Sequence, residues 1–89
     1  TTQLSKAALE TLAIIMFKQP ITKTEIEAIR GVNVEKTLNS LQEKNLVTEI
    51  GRKDTPGRPI LYGITDYCME YFGIHSIEQL KKTINKCIN

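Results

Sequence analysis

The chain has 89 residues, 40% apolar and 25% charged, which is enough for one globular domain with one core and carries no disorder-type bias. Twelve basic and ten acidic residues leave a formal charge of +2, too near balance to mark a polyanion-binding protein without local clustering. The longest apolar run, Leu12 to Phe17, is far too short to span a membrane and follows no signal-like basic start, so the expectation is a cytoplasmic protein with no membrane contact.

Ser5 is read as the cap of a first helix whose apolar positions Ala8, Leu9, Leu12, Ala13 and Met16 recur at steps of three and four, with Pro20 as its stop. The next segment carries a full start signal: Thr22 as cap, Glu25 three positions on, and Ile21 with Ile26 as a hydrophobic staple. Gly31 supplies a left-handed stop, which leaves a helix of about two turns with Ile26 and Ile29 on its core side. Asn33 is read as the cap of a third helix, with Val34, Leu38 and Leu41 one and two turns apart and Asn45 at its end. The joint from Gly31 to Asn33 is so short that the two helices must cross steeply, as in a helix-turn-helix.

After Asn45 the apolar period changes to two. Leu46, Thr48 and Ile50 alternate with Val47 and Glu49, and Ile60, Tyr62 and Ile64 alternate with Leu61, Gly63 and Thr65. Between these strands Pro56 and Gly57 suit the centre of a type II turn, and Pro59 suits a strand start on an edge. Asp66 is read as capping a short helix stopped by Gly73, and Ser76 with Gln79 as opening a tail helix striped by Ile77, Leu80 and Ile84. The fold predicted is mainly α with a small antiparallel β-hairpin, a winged helix-turn-helix. It spans residues 1–75 with its wing at about 51–59, followed by a C-terminal helix, 76–89, packed on or extending it.

Catalytic and metal-binding patterns are missing. Cys68 and Cys87 are too far apart for a paired-cysteine motif, His75 is the lone histidine, and reduced thiols are the expectation. There is no phosphate-binding glycine loop, dinucleotide fingerprint or nucleophile elbow, and Glu25 and Glu27 point to different sides of their helix. No enzyme, cofactor or metal is therefore expected.

The segments "LSKAALETLAIIMFKQPITKTEIEAIRGV", "GRKDTPGRPILYGIT" and "YFGI" resemble the bacterial segregation and condensation protein B family, specifically the second of its two winged-helix domains, over about Leu4 to Ile74. The resemblance implies a non-catalytic subunit of the bacterial condensin complex, at work on the nucleoid. Such a subunit binds the kleisin, segregation and condensation protein A, and regulates the structural-maintenance-of-chromosomes (SMC) ATPase. It also implies self-association, mainly through an upstream domain that this chain lacks.

Charge weighs on the alternative, a DNA-binding domain of a transcription regulator. The third helix balances Lys36 and Lys44 with Glu35 and Glu43, and the second balances Lys23 and Arg30 with Glu25 and Glu27. Arg52, Lys53 and Arg58 against Asp54 give the wing +2. Three readings stay open for it: a solvated turn with Asp54 pairing an arginine, a contact with the kleisin or a sister subunit, or a weak auxiliary DNA contact. Tyr62, Tyr67, Tyr71 and Phe72 fit either a core beneath the hairpin or a partner patch. The candidate partner-binding residues are Arg52, Lys53, Arg58, Tyr62, Tyr71 and Phe72.

Overall fold

Ser5 opens the first helix as its position demands, its hydroxyl accepting from the Ala8 N–H at 3.1 Å, and α1 runs over Lys6–Lys18. The computed structural model describes residues 4–71 together with Glu78 and Lys82. Of the expected tail helix only these last two are described, both helical and exposed; Phe72, Gly73, His75, Ser76 and Cys87 lie outside the described residues. From α1, Leu12, Ile15 and Met16 enter the core, while Leu9, expected there, is half-buried.

The Thr22–Glu25 box closes in both directions: the Glu25 N–H donates to the Thr22 hydroxyl at 3.2 Å, and the Thr22 N–H donates to Glu25 Oε1 at 3.0 Å. These residues open α2 (Lys23–Arg30), which ends at Gly31 with φ at 74°. The cap's extended backbone has a second use that the sequence reading missed. Ile21–Thr22 form a two-residue strand, β1, paired antiparallel with Tyr62 and Leu61.

The third helix, α3 (Glu35–Glu43), starts one residue later than expected, with Val34 at the cap position. Asn33 still serves its first turn, Oδ1 accepting from the Glu35 N–H at 2.9 Å. Val34, Leu38 and Leu41 are buried as expected, and Asn45 takes the left-handed conformation, φ 61°, just past the helix end.

The wing strands are β2 (Val47–Arg52) and β3 (Ile60–Ile64), and the sheet order is β1-β3-β2. Pro59 therefore precedes the central strand, not an edge. The expected alternation of β2 fails at Ile50, because the register shifts between Glu49 and Gly51. Leu46 and Val47 are buried side by side, while Ile50 is exposed on the bulge. The next helix, α4 (Asp66–Tyr71), is capped by Thr65 in place of Asp66; the Thr65 hydroxyl accepts from the Cys68 N–H at 3.0 Å. Residues of α1, α2, α3, the sheet and α4 meet in one core, with Ile26, Leu46 and Cys68 fully buried.

Candidate partner-binding interface

The joint between α2 and α3 is held from within. The Gly31 N–H closes on the Glu27 carbonyl at 2.7 Å, and the Glu27 carboxylate accepts from the Val34 N–H at 3.1 Å. Two of the free N–H groups that open α3, those of Val34 and Glu35, are thus served by Glu27 and Asn33.

The two cations of α2 are engaged too. Lys23 Nζ lies 2.9 Å from Glu35, an ion pair whose hydrogen bond raises the lysine pKa and lowers the glutamate pKa. Arg30 reaches back to α1, pairing with Glu10 at 3.0 Å. The α2 cations are thus balanced by carboxylates of α3 and α1, whereas Lys36 of α3 is exposed and makes no ion pair among the described residues.

At the wing, the Arg58 N–H donates to the Thr55 carbonyl at 2.9 Å, and Gly57 has φ at 85°, as the third position of a type II turn requires. Lys53 donates its backbone N–H to the Pro59 carbonyl and its ammonium to Glu25 Oε2, at 2.8 and 2.9 Å. That ammonium, followed by the Thr22 N–H, holds the Glu25 carboxyl down at about 2. One carboxylate therefore completes the helix cap and anchors the wing. Arg52 donates to the Arg58 carbonyl at 2.9 Å. Asp54 makes no ion pair among the described residues, so the arginine pairing that one of the three readings of the wing included is not found. With Lys53 neutralised, the wing keeps exposed Arg52 and Arg58 against Asp54.

The aromatic candidates separate. Tyr62 is 8% exposed, and its burial raises the phenol pKa; it packs in the core because β3 turns it inward, so it adds nothing to an exposed patch. Tyr71 is exposed on α4, its ring centroid 6.4 Å from that of Tyr67 one turn earlier. Phe72 lies outside the described residues. Cys68 is buried, and desolvation pushes its thiol up to about 11. Among the described residues no cluster of three His, Cys, Asp or Glu side chains could hold a metal ion, and no helix is long and apolar enough to cross a membrane.

Sequence reasoning missed the surface at the end of α2. Ile29, expected on the core side, is 52% exposed, and Val32 in the turn is 53% exposed. Ile26 and Ile29 sit about 60° apart on a helix, so periodicity alone does not say which one the core takes. Val32 also lines an open groove of about 550 Å³, together with Thr24, Glu27, Ala28, Gly31 and Asn33.

Three helices, a tight helix-turn-helix joint and a three-stranded wing sheet define a winged helix-turn-helix domain. Solved structures agree: a mutant of Lactococcus lactis ZitR superposes with a TM-score of 0.72 over 98% of this chain and 57% of that one, and at 18% identity it speaks to the fold alone. Residues 1–83 match the family described as segregation and condensation complex subunit ScpB, and the chain belongs to that family. Segregation and condensation protein B of Moorella thermoacetica is 57% identical over 77 residues, 86% of this chain and 40% of that protein. The crystal structure of ScpB from Mycobacterium tuberculosis has a TM-score of 0.78 at 35% identity, covering 84% of this chain and 46% of that one. The chain thus spans less than half the length of these relatives.

Proposed function

We propose that this chain is a non-catalytic interaction domain of the bacterial condensin complex. It binds the kleisin, segregation and condensation protein A, and through it regulates the SMC ATPase in chromosome condensation and segregation. It works in the cytoplasm at the nucleoid, and the whole protein pairs with a second copy mainly through an N-terminal domain outside this chain.

The observation that carries the reading is the neutral helix-turn-helix. Lys23, Arg30 and Lys53 all end on carboxylates within the fold. Phosphate contacts supply nearly all the non-specific affinity of a DNA reader, and cations already held by Glu35, Glu10 and Glu25 are poorly placed to give it. Family membership supports the same partner. Arg52, Arg58 and Tyr71 are exposed and are the residues proposed to contribute.

Calorimetric titration of the folded chain with the central region of the kleisin should give micromolar or tighter binding; none at all removes the reading. Exposed Arg52 and Arg58 favour the alternative, a DNA-binding winged helix. It requires a gel shift that weakens steeply with salt and is lost in the double variant Arg52→Ala, Arg58→Ala. An absent or salt-insensitive shift eliminates it.

A further inference from the structure

We infer that the outer edge of β2 pairs with the same edge of a second copy of this chain, Glu49 of each copy lying opposite Arg52 of the other. In the whole protein this contact rests on the pairing of two copies proposed above, and it does not involve the kleisin.

β2 is an outside strand of the β1-β3-β2 sheet, and five of its six residues, Thr48 to Arg52, are exposed. Two bonds fix which of its backbone groups point away from β3. At one end the Thr65 N–H donates to the Leu46 carbonyl at 3.2 Å, and at the other the Lys53 N–H donates to the Pro59 carbonyl at 2.8 Å. Bonded positions alternate in an antiparallel ladder, so Thr48 and Gly51 bond towards β3, while Glu49 and Arg52 turn their N–H and C=O groups outward. Among the described residues no backbone bond outside the sheet takes these groups up. Such an edge is a template for a further strand.

Charge selects the strand. Two copies laid antiparallel about an axis between Ile50 and Gly51 place Glu49 opposite Arg52 twice, and these are the positions with outward backbone groups, so hydrogen bonds and charges come into register together. The two side chains share a face as well: Glu49 stands across from Tyr62 and Arg52 from Ile60, both of which pack towards the core. The bulge between Glu49 and Gly51 occurs in both copies at the same distance from the axis, so it keeps the two edges in step. Glu49 has no ion-pair partner among the described residues, and the Arg52 guanidinium keeps donors beyond the one it gives the Arg58 carbonyl. Ile50, 51% exposed, meets the second copy beside Gly51, where an added Cβ would touch nothing within 4 Å, and the pairing takes it out of water. A polyanion finds one base cancelled by one acid here. An unrelated strand must bring a base and an acid at the spacing that the edge itself already carries.

The contact is short, so the test follows the mass of the chain by sedimentation equilibrium at low salt up to about 1 mM, the effective concentration that a short tether supplies. The unaltered chain should form a dimer. Arg52→Glu and Glu49→Arg each set like charges opposite one another, and each should weaken the dimer at least about tenfold with little change in melting temperature, both positions being exposed. An equimolar mixture of the two variants puts acid opposite base again and should dimerise as the unaltered chain does. The double variant Glu49→Arg, Arg52→Glu should do the same by itself, and it decides the matter if a single variant melts early. A chain that stays monomeric, a dimer that neither variant weakens, or a mixture that fails to recover overturns the inference and leaves kleisin binding standing. Binding of the kleisin or of duplex DNA that Arg52→Glu abolishes, in a chain that is monomeric throughout, assigns the edge to that ligand and equally overturns it.

Discussion

Arg30 is the side chain whose removal tests how α2 is held to α1. Its guanidinium donates to the Ala7 carbonyl at 3.4 Å, to the Thr11 hydroxyl at 3.1 Å and to Glu10 Oε1 at 3.0 Å, three acceptors on neighbouring turns of α1. The Arg30 side chain is 16% exposed, and Thr11 is fully buried. In Arg30→Met the aliphatic stem survives. The Glu10 carboxylate, one-third exposed, recovers water, but the Thr11 hydroxyl loses a charged donor in a place that water does not reach.

A hydrogen bond to a charged group contributes about 1.5–3 kcal/mol where buried and less where hydrated, so the net loss should be about 2 kcal/mol. For a domain of this size that lowers the melting temperature by about 8–16 °C. Arg30→Lys should recover only part of it, because one ammonium cannot reach three acceptors as a planar fork does. Thr11→Val should cost less in the Arg30→Met background than alone, with a coupling of about 1 kcal/mol. Thermal and urea unfolding followed by circular dichroism measure the four variants against the unaltered chain. A melting temperature within about 2 °C of the unaltered chain for Arg30→Met, together with no coupling, refutes the clamp.

Gly63 faces a different constraint: an added Cβ would sit 2.9 Å from Gln19 Oε1 and 3.0 Å from Ile50 Cδ1. Gly63→Ala should displace the Gln19 carboxamide from the Ile64 N–H, which it accepts at 3.0 Å, and destabilise by about 1 kcal/mol; Gln19→Ala should cost little more in that background, and full additivity speaks against the contact. Lys53→Met should raise the Glu25 titration seen by carboxyl NMR from about 2 towards its ordinary 4.5, and an unmoved titration rejects the wing anchor. Because Glu25 is depressed when folded, its stabilisation is complete above pH 4.5, declines below it and is gone once pH falls through about 2; Lys53→Met should flatten that acid limb. In a Cys87→Ser background the buried Cys68 thiol, pushed up to about 11, should resist Ellman's reagent at pH 8 until the chain unfolds, whereas rapid labelling of folded protein contradicts its burial.

The chain's own order of residues determined where helices start and stop. Ser5, the Thr22–Glu25 box, Gly31 and the Pro56–Gly57 turn all act through the backbone within about four residues, so their effect is legible before any packing is known. The short joint at Gly31 likewise announced the helix-turn-helix, and the motifs around it announced the family.

Tertiary structure alone decided how distant pieces meet. Ile21–Thr22 read as a helix start and became a strand as well, because an extended cap can pair once β3 lies beside it. Tyr62 went inward, and Ile29 outward, by the tilt of elements that no local period reports. The partners Arg30–Glu10 and Lys53–Glu25 lie 20 and 28 residues apart, so their neutrality is a property of packing. Composition can say that charges balance; only the folded chain says which ones cancel and which surface is left for a partner.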